Sequence, residues 1–385
     1  MRKWILALAA GLALSQTARE PLPGDPLPGI TAAEFERFRV GLEDFTEVEG
    51  AEDGLGPAFN GTSCAGCHNI PAIGGAGPIT EVRAGYRDEQ GAFKELEGGT
   101  LFHLFSIPDH RCQVRIPPEA NVIARRISIP VFGAGLVEAI ADATIIAMED
   151  PNDSNHDGIS GRANRITDVA TARPRIGRFG WKSQHATLLA FSGDAYRNEM
   201  GITNDLFPEE VALGVDPEKL RLCDPVADPE DRPDPRTRLR GIDNFEAFLR
   251  FLAPTARGPL SDAAAAGERV FLQTGCAACH VPVLITSASP NPVFDRKPVP
   301  LFSDLLLHDI GTGDGIAQDG AEPDEIRTPA LWGLRFRRPL LHDGSAATID
   351  EAIRRHDNEA RRARDHYHGL TAGDRAALLS FLGSL

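Results

Sequence analysis

The sequence predicts a mainly α-helical chain of two similarly built domains, the first enlarged by a long, loop-rich insertion with minor β-structure. Three observations carry this. The pentapeptide Cys-x-x-Cys-His occurs twice, in GTSCAGCHNI (61–70) and in TGCAACHVPV (274–283). Each copy follows a helix-forming stretch and is closed further on by another. The chain has 385 residues, room for two or three domains, and its 38 Gly and 29 Pro call for long irregular connections.

The first residues read MRKWILALAAGLALSQTARE. Arg2 and Lys3 precede an apolar core over 4–14, and small residues follow at Ser15 and Ala18. This is the pattern of a secretory signal peptide over 1–18, too short to be a good membrane span. No later stretch is apolar enough to cross a bilayer, so an exported, periplasmic, soluble mature protein is expected. The run PLPGDPLPG (21–29) reads as an extended, mobile leader. Thr31 can then cap a helix carrying Phe35, Phe38 and Leu42 on one face. The first pentapeptide follows, and an insertion over about 85–234 contains β-like runs such as GTLFHLFSI. The acidic, proline-rich CDPVADPEDRPDPRTR is surface loop. GIDNFEAFLRFLAP (241–254) has apolar residues at helical spacing and closes the first domain (19–256). Ser261 caps an Ala-rich helix over 262–272 that runs into the second pentapeptide. TAGDRAALLSFLGSL (371–385) opens with a Thr-x-x-Asp capping pattern and closes the second domain (257–385).

Cys-x-x-Cys-His is the attachment signal for c-type haem. Two thiols one helical turn apart reach the two vinyl groups of one porphyrin, and the next residue binds the iron from the proximal side. Cys64, Cys67 and His68 would hold one haem; Cys276, Cys279 and His280 would hold the other, in two cytochrome c-like domains. A four-cysteine zinc site and a thioredoxin-like redox pair are the chemical rivals. Neither explains a His directly after both pairs. Cys112 and Cys223 remain, and in an oxidising compartment they form a disulfide or, on the plainer reading, two buried thiols.

Inside the insertion lies DPNDSNHDGISGRANRI, where Asp153, Asn155 and Asp157 alternate before Gly158. Three oxygen side chains at every second position can converge on Ca2+, with the carbonyl of Ile159 as a fourth ligand. The twelfth position, a bidentate Glu in an EF-hand, is Asn164. The alternative is a turn whose Asx side chains bond the backbone.

With these motifs in view, the chain resembles the di-haem oxidoreductase family, often labelled "thiol oxidoreductase", which is related to bacterial di-haem cytochrome c peroxidases. The resemblance rests on GLGPAFNGTSCAGCH, GAGLVEAI, DGISGRANRI, GRFGWKSQ, NEMGIT, CAACHVP, FSDLLLHDIG, RTPALWGL and LLHDGSAATIDEAI. It implies a two-domain, mostly helical fold with haems on either side of an interface, and redox chemistry on a small-molecule substrate. It also implies an external electron donor or acceptor, such as a small cytochrome or cupredoxin, and a homodimer as one assembly. In the peroxidases one haem relays an electron and usually has a distal Met, while the other reacts with peroxide. The position before RTPALWG is here Glu325 or Ile326, and GGAGPITEVRAGY lacks the distal His of the first peroxidase domain.

The candidates for the distal sides and haem surroundings are therefore Met200, His308, His342 and Glu325. Each also has a bland reading, as a core gap-filler, a structural His or a surface carboxylate. His103, His110 and His185 are weaker candidates. His356, His366 and His368 lie in the charged RRHDNEARRARDHYHG, which reads as a solvated face. Glu138 in GAGLVEAI could move a peroxide proton, or be an ordinary helix carboxylate. Trp181 and Trp332 could relay electrons between haems, or simply pack. The formal charge of −15 disfavours nucleic acid and suits a basic redox partner. An enzyme with one open iron, a pure electron carrier with both irons six-coordinate, and a structural haem protein in a larger complex are the three functional readings. The departure from Met and the size of the insertion favour the first.

Overall fold

The computed structural model describes residues 20–224, 226, 232–235 and 237–385; the expected signal peptide lies outside them. Eleven α-helices are present among the described residues: α1 (Ala32–Thr46), α2 (Cys64–Cys67), α3 (Ala134–Glu138), α4 (Asp142–Ile146), α5 (Leu188–Met200), α6 (Pro217–Cys223), α7 (Gly241–Phe251), α8 (Asp262–Thr274), α9 (Ile349–Arg354), α10 (Arg361–Gly369) and α11 (Ala372–Leu382). Twelve strands accompany them, all but two of four residues or fewer. The chain is therefore less purely helical than its sequence suggested, because the insertion folds as sheet. Thr80–Arg87 pairs antiparallel with Phe93–Lys94, Leu101–Phe102 and Val122–Ile127.

The helices that frame each pentapeptide form where the caps lie. The Thr31 hydroxyl accepts the Glu34 N–H at 3.2 Å while the Glu34 carboxylate accepts the Thr31 N–H at 2.7 Å, a reciprocal box that satisfies two otherwise orphaned donors. Ser261 and Thr371 cap α8 and α11 in the same way, each accepting an N–H three residues on. α1 crosses α7, and α8 crosses α11, with a glycine at each crossing. A Cβ on Gly41 would sit 2.1 Å from the Asn244 carbonyl oxygen, and one on Gly267 would sit 2.0 Å from that of Ala377. Backbones this close admit no side chain. Gly267→Val is expected to cost ~1–3 kcal/mol through overpacking and to lower the thermal midpoint seen by circular dichroism. Gly369→Ala is the control, because a Cβ there meets nothing within 4 Å.

The expected division between 19–256 and 257–385 is crossed by the apolar core. One cluster joins Phe38, Phe45, Phe245 and Phe248 from the first half to Leu284, Phe294, Val299 and Leu305 from the second. A separate cluster around Phe271, Phe302, Tyr367 and Phe381 backs the second pentapeptide. Residues 21–29 are not a mobile leader. The Leu27 N–H donates to the Phe251 carbonyl at 2.7 Å, the Ala253 N–H donates to that of Asp25 at 3.0 Å, and Leu27 is buried. The proline-rich run is held because the exit from α7 offers it backbone partners. Cys112 and Cys223 are disulfide-bonded, with Cα atoms 5.8 Å apart and a sequence separation of 111. On the chain-entropy model a loop of that size is worth about 4.7 kcal/mol.

Candidate functional site

Each pentapeptide sits at its own cavity. In the first, α2 presents Cys64 and Cys67, and His68 follows as its C-terminal cap. The His68 Nδ1 lies 2.9 Å from the Gly75 carbonyl oxygen, and Phe45 stands edge-on to the imidazole at 6.1 Å. In the second, a short 3-10 turn over Cys276–Ala278 leads to Cys279 and His280, whose Nδ1 lies 3.1 Å from the Phe302 carbonyl oxygen. The two cavities are about 200 and 390 Å3. Burial pushes the Cys64 thiol up to about 12 and that of Cys67 up to about 11, so neither is a ready thiolate.

The donor set decides between the cofactor readings. All four thiols are unpaired, and the two pairs line different cavities, so they cannot share one zinc ion. Each motif histidine offers Nδ1–H to a backbone carbonyl, which leaves the Nε2 lone pair for a metal and fixes the ring. Two thiols beside such an imidazole at the mouth of an apolar cavity fit haem c in both places.

The first cavity has a polar wall that sequence reasoning missed. Glu199, the penultimate residue of α5, lines it and is half-buried. Its Oε2 accepts from Asn60 Nδ2 at 3.1 Å and its carboxyl shares a hydrogen bond with Glu81. Arg83 clasps Glu81 at 2.7 Å through Nε. Burial, then the charge of Glu81, push Glu199 up to about 8. Burial opposes ionisation of Glu81 too, but Arg83 outweighs it and holds that carboxyl below the ordinary range. Glu199 stands in the NEMGIT run, one residue before Met200, and a carboxylate in an otherwise family-like segment was the available signal. Met200 lines the same cavity and packs into the main core. Arg83, Gln184, His185, Asp194 and Asn198 line both this cavity and a neighbouring polar one of about 660 Å3. His103 instead bonds the Asn198 carbonyl at 2.8 Å and lines none of these cavities.

The second cavity is lined by His308, His342 and, against expectation, His356 and His366. The charged string is not a uniform solvated face, because the chain turns between α9 and α10 and swings His356 inward. His308 has both ring nitrogens engaged, Nε2 by Asp304 at 2.9 Å and Nδ1 by Glu359 at 2.8 Å. Cys279, Asp304 and His308 are also the one metal-type cluster of His, Cys, Asp and Glu among the described residues. His342 stands edge-on to Trp181 at 6.1 Å, and its Nδ1 is buried without a partner. Glu325 is not in the cavity. Arg162 binds both of its carboxylate oxygens, at 2.5 Å through Nε. Ile326 lines the cavity in its place.

Trp181 lines both haem cavities and is anchored by its Nε1–H on the Ile127 carbonyl at 2.8 Å. Trp332 lines a small apolar cavity that shares Arg327 and Arg337 with the second cavity and Val131 and Phe191 with the first. Glu138 reaches neither cavity; its carboxylate accepts the Leu188 N–H at 2.8 Å and pairs with Arg250 at 2.7 Å. It thereby holds the start of α5.

The calcium-like loop takes the Asx-turn form. Asp153, Asn155 and Asp157 each accept a backbone N–H, from Gly158, Asp157 and Ile159 at 3.1, 2.9 and 2.9 Å. Asn164 is not a partner of this group, because its Nδ2 is buried and donates to the carbonyls of Lys182, Ser183 and Asp319. The segment docks the second half instead. The Ser160 N–H donates to Glu359 at 3.0 Å, the Arg162 N–H donates to the Leu307 carbonyl at 3.1 Å, and Asp157 and Ile159 line the second cavity.

No curated protein matches the chain. Solved structures resemble it only distantly. Hydrazine synthase from Kuenenia stuttgartiensis is 16% identical with a TM-score of 0.43 over 100% of both chains. A MauG-like protein associated with microbial copper homeostasis gives the same two values over 97% of this chain and 95% of that one. The diheme peroxidase BthA from Burkholderia thailandensis is 14% identical with a TM-score of 0.32, over 76% of this chain and 92% of that one. Residues 109–385 match the family described as "Di-haem oxidoreductase, putative peroxidase". That span contains the second pentapeptide, and the first lies before it. The chain belongs to the di-haem oxidoreductase family.

Proposed function

We propose that the protein is an exported di-haem peroxidase in which substrate is handled in the first cavity and electrons enter through the second. The observation that carries this is the asymmetry of the two cavities. The first has a carboxyl pair, Glu199 and Glu81, beside Arg83, and shares a polar wall with a neighbouring polar cavity from which a small polar substrate would come. The second is lined by apolar side chains and histidines, its Glu359 bound to His308, with Glu325 or Ile326 where the related peroxidases have Met. Haem, when bound, supplies irons that exchange electrons one at a time. Reduction of one peroxide consumes two electrons and two protons and yields two waters. Glu199 is placed to give a proton to the departing oxygen, Arg83 keeps Glu81 ionised beside it, and Asn60 fixes the Glu199 carboxyl. Trp181, shared by both cavities, is the bridging side chain between them. The acidic surface charge suits a small basic cytochrome or a cupredoxin as the donor, and covalent haem attachment suits the periplasmic address read from residues 1–18.

The test is peroxide consumption by the purified protein in the half-reduced state, with haem counted alongside. Removing both thiols of one motif, as C64A with C67A or C276A with C279A, is expected to halve the covalent haem. The first pair should abolish turnover. Wild-type protein that holds two haems and consumes no peroxide would leave the electron-carrier reading.

A further inference from the structure

We propose that His356 is the second axial ligand of the iron held by Cys276, Cys279 and His280; this rests on the reading that both motifs carry haem. Two imidazoles in this cavity have the same preparation. His280 has Nδ1 on the Phe302 carbonyl at 3.1 Å, and His356 has Nδ1 on the Ala352 carbonyl at 2.8 Å. A ring that donates Nδ1–H to a carbonyl carries its lone pair on Nε2, which is how metal-binding histidines are oriented. The Nε2 of His356 has no protein partner among the described residues. His280 and His356 line the same cavity.

Among the other candidate groups, His366 is exposed to solvent. Both nitrogens of His308 are taken by carboxylates. His342 faces Trp181, and the charged groups around it are Asp343, Asp314, Arg126 and Lys182. Glu325 is bound by Arg162, and Ile326 has no donor atom. Met148 and Met200 both pack in the main core, away from this cavity. The backbone after α9 holds His356 in place. The Asp357 N–H donates to the Ile310 carbonyl at 2.9 Å, and Glu359 ties the next turn to His308 and Ser160.

Imidazole on both faces closes this iron to substrate and sets it at a lower potential than Met and His would. A closed iron here and an open one in the first cavity is the division of labour that a relay and a reaction site need.

The experiment is electron paramagnetic resonance of the ferric full-length protein, with covalent haem counted. Wild-type protein should show one low-spin haem with two nitrogen ligands. H356A should convert that signal to high spin without loss of haem, and H342A should leave it unchanged. H356M guards against a folding defect. It should remain low-spin, gain a sulfur-to-iron charge-transfer band and move that haem's potential upward. H356A protein with full haem content and an unaltered low-spin signal overturns the inference, as does loss of the signal in H342A alone. Spin state is read without turnover, so a protein that consumes no peroxide yet behaves in this way refutes only the peroxidase reading.

Discussion

Glu199→Gln should lower peroxide turnover by ~10²–10⁴-fold, the usual loss when a positioned acid–base group is removed, with haem content and ferric spectrum unchanged. The reason is the state of the carboxyl pair. Two half-buried carboxyls that share a hydrogen bond do not readily both ionise. Arg83 decides which one does, since it clasps Glu81 and keeps it charged. The proton of the pair therefore resides on Glu199 at neutral pH, its carboxyl having been pushed up to about 8 by burial and by Glu81. Peroxide cleavage needs a proton at the departing oxygen, so the working form is the protonated one. Activity should be present below about pH 8 and fall as pH rises through it. The variant, which cannot ionise, should lose that alkaline limb along with most of its rate. A Glu199→Gln protein with wild-type turnover, or one whose alkaline limb is unmoved, would show that the proton comes from elsewhere.

Arg83→Ala would not serve as a substitute test, because it frees Glu81 to compete for the same proton. The Glu199 variant isolates one carboxyl and leaves its neighbour charged.

What could be read from the sequence divides along physical lines. The helices framing each motif were legible because their caps are local: Thr31, Ser261 and Thr371 sit next to the N–H groups they satisfy. The haem class was legible because Cys-x-x-Cys-His is a local signal written in five residues. Glu199 was not, since its partners Asn60, Glu81 and Arg83 come from positions more than a hundred residues away, and only their convergence makes a helix-end carboxyl a proton store. His356 was hidden by its company. Arg354, Arg355 and Arg361 are exposed and dominate a linear reading, whereas the turn after α9 points one ring of that string the other way. At the Asp153 loop the local hydrogen bonds add what the pattern left open. Alternating oxygens there satisfy nearby backbone N–H groups, and the twelfth-position residue, Asn164, is drawn into the core by three carbonyls.

The largest stability loss should come from Asp314→Ala. Asp314 lies between two fully buried cations. Arg126 Nε is 2.7 Å from one carboxylate oxygen and Lys182 Nζ is 3.2 Å from the other, and all three side chains are at most 2% exposed. The Lys182 ammonium is otherwise held by the carbonyls of Glu322, Pro323 and Glu325 at 2.9, 3.1 and 2.6 Å. Arg126 and Lys182 come from the first half of the chain and the other groups from the second, so this cluster fastens the halves beside Trp181. A buried pair can be matched by apolar packing, but removing one member leaves uncompensated charge and costs ~3–5 kcal/mol. Here the removal strands two cations at once, which places Asp314→Ala at the upper end of that range. Denaturant unfolding should report it. Burial works against the Asp314 charge, but Arg126 and Lys182 outweigh burial and hold its carboxyl below the ordinary value. The sign follows: this stabilisation is fully present above the unfolded carboxylate range and is lost as pH falls through the lower folded one. The difference in stability between wild type and Asp314→Ala should therefore shrink in acid. A difference below 1 kcal/mol at neutral pH would mean that the fastening lies in the shared apolar core around Phe294 and Leu305 instead.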